Sequence, residues 1–506
     1  MRDLLSHREE RQLTLIETLH YANAPMTIHE LASALSCSAR ILSHDLTHIR
    51  EHRSQLEIDS TPKGFTVHFH PNKGIASLYQ AVMSESPGFQ LLGALFRRGH
   101  ASADELADEL FVSPSTIHRL AKQVNRPLGE RFQLTIETNP YRFSGDEVSV
   151  RAFFTQYFFD MHAMTDWPFP AIDEEAFGSV LRFFAEQVGI PLDYTRLWFF
   201  KLSAAVSLIR VRQGFRVMSL PFDTDELTAL YEVIRYQEAF DTHARQLEAV
   251  AGTPVTQDLL IQLYASFVQK HFAFTYDDLT EQASLDPYTK ASVSALEAMV
   301  DTLMHKASLT LQNRETFLLD MHNTFHLREM EAGAVSLLFD HKKAFCDVIN
   351  SYFPVFYQDV ERQLITWVNA LGYRWEDVHG HHLIYTCFTH WRHLLKQLLA
   401  KQKFVSIIVL SPYDLQHADL LTDMIGHFYE NIADIRAYEG DSLSADALAK
   451  TKADVIVTAF PLEDIPGKDV ICVADLLSER DLEMIGRAVD QTRKRKIAAI
   501  LEAQPR

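Results

Sequence analysis

The strongest constraint in the chain is an internal repeat near its N-terminus. The segments TIHELASALSCSARILSHDLTHI (Thr27 to Ile49) and SADELADELFVSPSTIHRLAKQV (Ser102 to Val124) lie 75 residues apart in a sequence of 506. Each opens on a hydroxyl residue followed three positions later by glutamate, Thr27 with Glu30 and Ser102 with Glu105, the pattern in which hydroxyl and carboxylate reciprocally accept backbone N–H groups at a helix start. Each continues as a short helix with matched Leu31-Ala32 and Leu106-Ala107, breaks, and restarts at Ser38 or Ser113, the latter followed by Pro114 at the first helical position. In the second copy Leu106, Leu110, Val112, Ile117 and Leu120 supply a shared core. In the first, Asp45 aligns with Leu120, and the core role is expected to pass to Leu46. Alternating stretches follow each copy: Leu56 to Asp59 with Phe65 to Phe69 around Lys63-Gly64, and Phe132 to Ile136 with Tyr141 to Phe143 around Asn139-Pro140. Both read as β-hairpins. Two short helices across a tight turn and then a hairpin, twice, predict tandem winged helix-turn-helix domains over residues 1–71 and 72–147.

In such a module the first residues of the second helix enter the DNA major groove and reach base edges. They are Arg40, Ser43, His44 and Thr47 in the first copy and Ser115, Thr116, His118, Arg119 and Lys122 in the second, with Lys63 and Arg142 of the hairpins over phosphate. Arg40, His44 and His48 recur at four-residue spacing and share one helix face. The formal charge of −19 speaks, taken whole, against a phosphate-binding protein. Residues 1–150, however, hold 15 Lys and Arg against 18 Asp and Glu, a net of −3, which leaves −16 for 151–506. A nearly neutral DNA-facing third predicts weak, salt-dependent binding that gains from dimerisation. Winged helices also dock proteins, so a scaffold that binds protein through both copies is a competing reading.

The four cysteines, Cys37, Cys346, Cys387 and Cys472, are far apart and form no CxxC pair, which predicts neither a disulfide framework nor a zinc knuckle and suits a reducing, cytoplasmic setting. The first residues are charged where a signal peptide is apolar, and no apolar run approaches the roughly 20 residues of a membrane helix. No membrane partner is expected. From about Val148 to Leu399 the periodicity is helical, with turn signals at Gly189-Ile-Pro, Pro221 and Gly252-Thr-Pro. This predicts two all-α bundles, 148–284 and 285–400, with the apolar segment Leu197 to Val217 buried in the first. His322 and His326 lie one helical turn apart, and His379, His381 and His382 precede His390 and His393. Such histidines can ligate metal or, when exposed, accept a phosphoryl group on a ring nitrogen. Without cysteine partners or an HExxH pattern no metal is expected, and ordinary structural histidines are the competing reading.

After Lys403 the texture changes to strand, loop and helix: Phe404 to Leu410, the loop Ser411-Pro412-Tyr413, and a helix from Asp414 to Tyr429. The strands Asp434 to Gly440, Ala453 to Phe460 and Asp469 to Leu477 follow, then a long helix from Ser478 to about Leu501. Apolar strands separated by helices predict a four-stranded parallel sheet in an α/β domain over 401–506. Ligands of such sheets sit at strand C-terminal ends, here the 411–413 loop, which has no Cys, Gly-rich cradle or Lys. Cys472 reads as a core residue in mid-strand. No catalytic residue and no cofactor are predicted.

This domain order, with the segments ELFVSPSTIHRLAKQVN (Glu109 to Asn125), LSAAVSLIRVRQG (Leu202 to Gly214) and LDMHNTFHL (Leu319 to Leu327), resembles the Mga and AtxA family of transcriptional regulators of Gram-positive bacteria over essentially the whole chain. The resemblance implies that the bundles are regulation domains of the sugar phosphotransferase system, phosphorylated on histidine by its phosphocarrier protein. It also implies that the last domain resembles the system's IIB component and mediates dimerisation. Where family members often have a histidine after the first bundle's Gly214, this sequence has Phe215. His322 and His326 stand in the helix where a phosphorylatable histidine is expected, with His379 as a third candidate, and the expected phosphocysteine is replaced by the 411–413 loop. The expected function is a promoter-binding regulator, not an enzyme, of the activating, global or virulence type. It is a homodimer through its C-terminal region and is tuned by the phosphocarrier protein. A IIB-type phosphotransferase fused to regulatory modules is the alternative.

Overall fold

The computed structural model describes residues 1–506 apart from 23, 188–191, 219–230, 233, 238, 265–270, 331–335, 376–379, 402–404, 431, 441 and 503–506. The turn signals at 189–191 and 221, the expected strand start at 404, and His379 lie outside the described residues. The chain divides into two compact units, one of Met1–Lys290 with His322–His341 and one of Ala291–Met321 with Lys342–Arg506.

The first unit begins with α1 (His7–His20), α2 (Ile28–Ala34) and α3 (Ala39–His52), then the antiparallel hairpin β1 (Leu56–Thr61) and β2 (Gly64–Phe69). After α4 (Ile75–Glu85) and α5 (Pro87–Arg98), the second copy runs β3 (His100–Ala101), α6 (Ala103–Leu110), α7 (Pro114–Phe132), β4 (Thr135–Thr138) and β5 (Tyr141–Ser144). Both reciprocal caps form, Thr27 with Glu30 and Ser102 with Glu105, and both restarts are capped, Ser38 accepting from the Ile41 N–H and Ser113 from the Thr116 N–H. Each hairpin has a further backbone pairing, an isolated bridge in the first copy and a two-residue strand in the second, that alternation could not reveal, because one or two residues carry no period. Met26 exchanges two backbone bonds with Phe65, at 3.0 and 2.8 Å, and β3 pairs with β5. The Met26 bridge explains Gly64, whose φ is +128° and where a Cβ would come within 2.5 Å of the Met26 carbonyl.

Leu106, Ile117 and Leu120 are buried, with Leu110 and Val112 packed partly buried against them. In the first copy Leu46 is buried as expected, but Asp45 is buried beside it. Its carboxylate accepts from Arg11 Nε at 2.5 Å and Gln12 Nε2 at 3.0 Å, with Arg8 4.0 Å away. Burial by itself would raise the Asp45 pKa, yet these donors hold it below the usual carboxylate value. The apolar contact of Leu120 is thus replaced by a polar tie between α3 and α1.

Beyond α8 (Glu147–Met161), the unit continues with helices Glu174–Gln187, Tyr194–Arg212, Phe240–Ala251, Gln257–Tyr264 and Tyr276–Leu285. Tyr194–Arg212 is buried over most of its length, as its uniform apolarity predicts. It carries buried Arg210, which shares Glu147 with buried Arg151 at 2.7 and 3.0 Å. The Phe215 ring lies 3.6 Å from the Arg210 guanidinium. One continuous apolar core runs from α1 through these helices and takes in Leu337 and Leu338.

In the second unit, Phe317 meets Trp391 edge-on at 5.5 Å, and Trp367 and Leu364 are buried in helix Pro354–Ala370. Helices Gly380–His390 and Leu394–Lys401 lead to a parallel sheet of order β7-β6-β8-β9, from β6 (Val405–Leu410), β7 (Ala433–Ala437), β8 (Val455–Thr458) and β9 (Asp469–Cys472). Ile407 and Val409 of β6 face a core shared with helices Leu415–Tyr429 and Glu479–Glu502, while Leu410 and Ile456 face Leu448 and Ile465. Both faces are covered, as a parallel sheet requires. The strands are shorter than the apolar runs. Cys472, expected in mid-strand and buried, is the exposed last residue of β9, because the apolar run crosses the strand end.

Two glycines test the fold in opposite directions. Gly64→Ala should destabilise by about 1–3 kcal/mol. Gly426→Ala, in open space within helix Leu415–Tyr429, should stabilise by about 0.5–1 kcal/mol. Denaturant midpoints of the two variants read both.

Candidate nucleic-acid interface

The buried face of α3 consists of Leu42, Asp45, Leu46 and Ile49. Helical spacing therefore turns Arg40, Ser43, His44 and Thr47 outward, and all four are exposed. In α7, burial of Ile117, Leu120, Ala121 and Val124 leaves Ser115, His118, Arg119 and Lys122 exposed and Thr116 half-buried. Lys63 is exposed at the first hairpin turn. Among the described residues Arg40, Lys63, Arg119 and Lys122 make no ion pair. Arg142 differs, since Glu137, its cross-strand partner on β4, binds it at 2.7 Å. His118 is also tied to its hairpin, with Nδ1 2.6 Å from the buried Tyr141 hydroxyl, so its other ring edge faces outward. Several hydroxyls are engaged locally: Ser43 and Thr47 donate to Ala39 and Ser43 carbonyls, and Ser115 and Thr116 bond the Ser113 hydroxyl.

Each second helix is pinned to its hairpin at equivalent positions of the repeat. Arg50 donates to the Ile58 carbonyl at 3.2 and 3.0 Å. Asn125, 75 positions on, exchanges bonds of 3.0 and 2.6 Å with the Ile136 backbone. Sequence reading missed both, although matched polar residues at the repeat offset were the available signal.

His322 and His326, on helix Arg314–Met330, are buried, not exposed. Their ring centroids are 4.2 Å apart, and His271 lies 5.3 Å from His326. His322 Nε2 donates to the His271 carbonyl at 2.6 Å, whereas neither His326 ring nitrogen has a hydrogen-bond partner among the described residues. Burial lowers the His322 pKa to about 4; burial, helped by His322 and His271, lowers that of His326 to about 2. His379 lies outside the described residues. Downstream of this helix, Ser336 to His341 form a strap across α4, α7 and α8 of the first unit. Arg131, in the last turn of α7, donates to the Ser336 carbonyl at 3.4 Å, and Arg2 donates to that of Leu338 at 3.1 Å. The Leu337 N–H donates to Asp160 of α8 at 2.8 Å, and Phe339 stacks on Tyr79 of α4 at 5.1 Å.

Two family models match the chain. The Mga helix-turn-helix domain covers residues 71–158, and the PRD domain of the M protein trans-acting positive regulator (MGA) covers residues 173–394, together more than half of the sequence. The chain belongs to the Mga family. It is 26% identical over 471 residues to a protein of Streptococcus pneumoniae named as a trans-acting regulator, covering 93% of this chain and 95% of that one. It is 20% identical over 507 residues to the capsule synthesis positive regulator AcpA of Bacillus anthracis, covering 94% and 98% of the two chains.

In the C-terminal domain of this Mga-family chain, the 411–413 loop turns its polar groups on one another. The Ser411 hydroxyl lies 2.9 Å from His417 Nδ1, His417 Nε2 donates to the Asp475 carbonyl at 2.7 Å, and Tyr413 donates to the Asp475 carboxylate at 2.9 Å. Among the described residues no group of three or more His, Cys, Asp and Glu could hold a metal, and no helix is long and apolar enough to cross a membrane.

The buried histidines give the Mga-family chain a defined pH response. Their folded pKa values lie below the unfolded value of about 6.5, so in acid the unfolded chain takes up protons that the folded chain refuses. Stability is full above about pH 6.5 and falls as pH drops toward about 4 for His322 and about 2 for His326. Asp160 acts oppositely: burial raises its pKa to about 6, and its stabilising proton is lost as pH rises through that value. Two histidines outweigh one aspartate, so net stability should decline in acid. His326→Phe should flatten the pH dependence of the urea midpoint; an unaltered profile would contradict a buried neutral His326.

Proposed function

We propose that this protein is a DNA-binding transcriptional activator whose two winged helix-turn-helix domains hold promoter DNA, and that histidine phosphorylation and dimerisation tune it. The observation that carries the reading is the pair of outward helix faces on α3 and α7, each presenting an arginine without an ion pair among the described residues beside exposed polar groups. Arg40, Ser43, His44 and Thr47 on one helix and Ser115, Thr116, His118, Arg119 and Lys122 on the other are assigned to the groove. Lys63 is assigned to phosphate, with Arg142 contributing less because Glu137 shares its charge. The family match and the naming of AcpA as a positive regulator support this. The near-neutral charge of the N-terminal third makes the contacts weak singly, so a homodimer through the C-terminal IIB-like domain raises avidity by effective concentration.

The second part of the reading concerns His322 and His326. A phosphoryl group adds about −1.5 to −2 charge, which their buried site cannot take without unpacking. Phosphorylation by the phosphocarrier protein therefore needs, and then holds, an opened helix. The strap 336–341, next described after that helix along the chain, bonds Arg131 and Asp160, and it is the segment through which a change at the histidines is proposed to reach the DNA-facing elements. His379 remains a third candidate acceptor.

Gel shifts on promoter-length duplex at two salt concentrations test the DNA assignment. Arg119→Ala and Lys122→Ala should each weaken binding and reduce the slope of log K against log salt by about 1; unaltered binding in both would overturn it. Incubation with phosphorylated phosphocarrier should leave acid-labile phosphate on the chain. Label that persists in His322→Ala/His326→Ala would move the acceptor elsewhere, and no label would remove phosphorylation from the mechanism.

A further inference from the structure

Phe111 stands in the turn between α6 and α7, and the fold has no use for its side chain. It is 95% exposed, and its backbone is left-handed, with φ +53°. A bulky aromatic is disfavoured in that conformation, and a lone exposed ring gains nothing from burial. The equivalent turn of the first copy places Ser36 at φ +50°, a small residue in the same conformation. Phe111 thus carries two local costs that a serine at the same point of the repeat avoids, and residues that break local rules without an internal return mark contact sites.

Its position says which contact. Phe111 lies two residues before Ser113, the cap of α7, at the entry of the helix that carries exposed Ser115, Arg119 and Lys122. The first copy has a counterpart by another route. Ile41 is 43% exposed on the first turn of α3, while its neighbour Leu42 is fully buried. Ile41 sits between Arg40 and His44, and the second copy has Thr116 at that position. Each copy therefore sets one exposed apolar side chain at the start of its second helix, a helix that carries an exposed arginine, Arg40 or Arg119, without an ion pair among the described residues. That juxtaposition fits an anionic partner with apolar groups, which is the major groove of duplex DNA with its thymine methyl groups.

We propose that Phe111 and Ile41 are specificity-determining residues that pack against thymine methyl groups, so that the two helix-turn-helix copies read T-containing steps through apolar contact. The assignment rests on the DNA reading above and adds to it a contact that carries no charge. Loss of such a contact lowers affinity without altering the number of counterions released, so the salt slope stays constant.

The test measures binding of the full chain to an AT-rich promoter-length duplex and to the same duplex made with deoxyuridine in place of thymidine. Phe111→Ser and Ile41→Thr, each the residue of the other copy, should weaken binding about three- to tenfold with unaltered salt slope and no loss of melting temperature. The uracil duplex should bind the unsubstituted protein more weakly, and the double variant should lose little further on it. Affinity unaltered in both variants, or a wild-type chain indifferent to uracil, overturns the proposal while Arg119→Ala still weakens binding. Weakened self-association of Phe111→Ser at constant DNA affinity also overturns it, by assigning Phe111 to a protein contact. If Arg119→Ala and Lys122→Ala leave DNA binding intact as well, the DNA reading itself fails.

Discussion

The outward faces of α3 and α7 exist because their inward faces are committed to one continuous apolar core. A short helix in water is marginal and acquires its orientation from what it buries. Here Leu42, Leu46 and Ile49 on one helix and Ile117, Leu120 and Val124 on the other lie in the same cluster as the first helical bundle. The hairpins then fix each helix about its axis, through Arg50 to the Ile58 carbonyl and Asn125 to the Ile136 backbone. Without that combination Arg40 and Arg119 would be ordinary surface charges. With it they stand on two prepared faces of one unit.

The two copies are not equivalent in how they are held. Where the second packs Leu120, the first buries Asp45 against Arg11 and Gln12, a charged tie whose value depends on all its partners being present. An apolar contact tolerates small displacements, whereas a buried carboxylate with fixed donors does not. Helix α3 is thus specified in position by α1, outside its own repeat. The strap adds a second such constraint: Leu337 and Leu338 join the same core, while Arg131 and Asp160 receive its backbone. A segment more than 180 residues beyond the second hairpin in sequence is part of the platform that carries both helices.

Much of the fold was legible. The caps at Thr27 and Ser102, the restarts at Ser38 and Ser113, and both hairpins follow from local rules, because capping and alternation are short-range properties that tertiary packing seldom overrides. The parallel sheet was legible for a similar reason, since strands buried on both faces read as continuous apolar runs. The bridge at Met26 and the short strand His100–Ala101 were not, as pairing of one or two residues depends on a distant edge being in place. Cys472 was misread because a long apolar run does not mark where a strand ends. His322 and His326 were read as candidates for an exposed acceptor, and the fold buries both, which helical spacing alone cannot report.

The sequence by itself determined the repeat, the capped starts of its helices and the residues that helical period turns outward, because each depends on neighbours within a few positions; the end of α7 it did not, since Phe132, expected in the second hairpin, is the last residue of that helix. It also determined the acid balance that leaves the N-terminal third near neutral. Only the tertiary structure decided that Asp45 is an internal ion-pair partner, that Arg142 is shared with Glu137, that Phe111 is held left-handed with its ring in water, and that a strap at residues 336–341 crosses α4, α7 and α8. These are statements about which surfaces meet after the chain has closed on itself. Burial, and with it the pKa of a histidine or the freedom of an arginine, is a property of that closure.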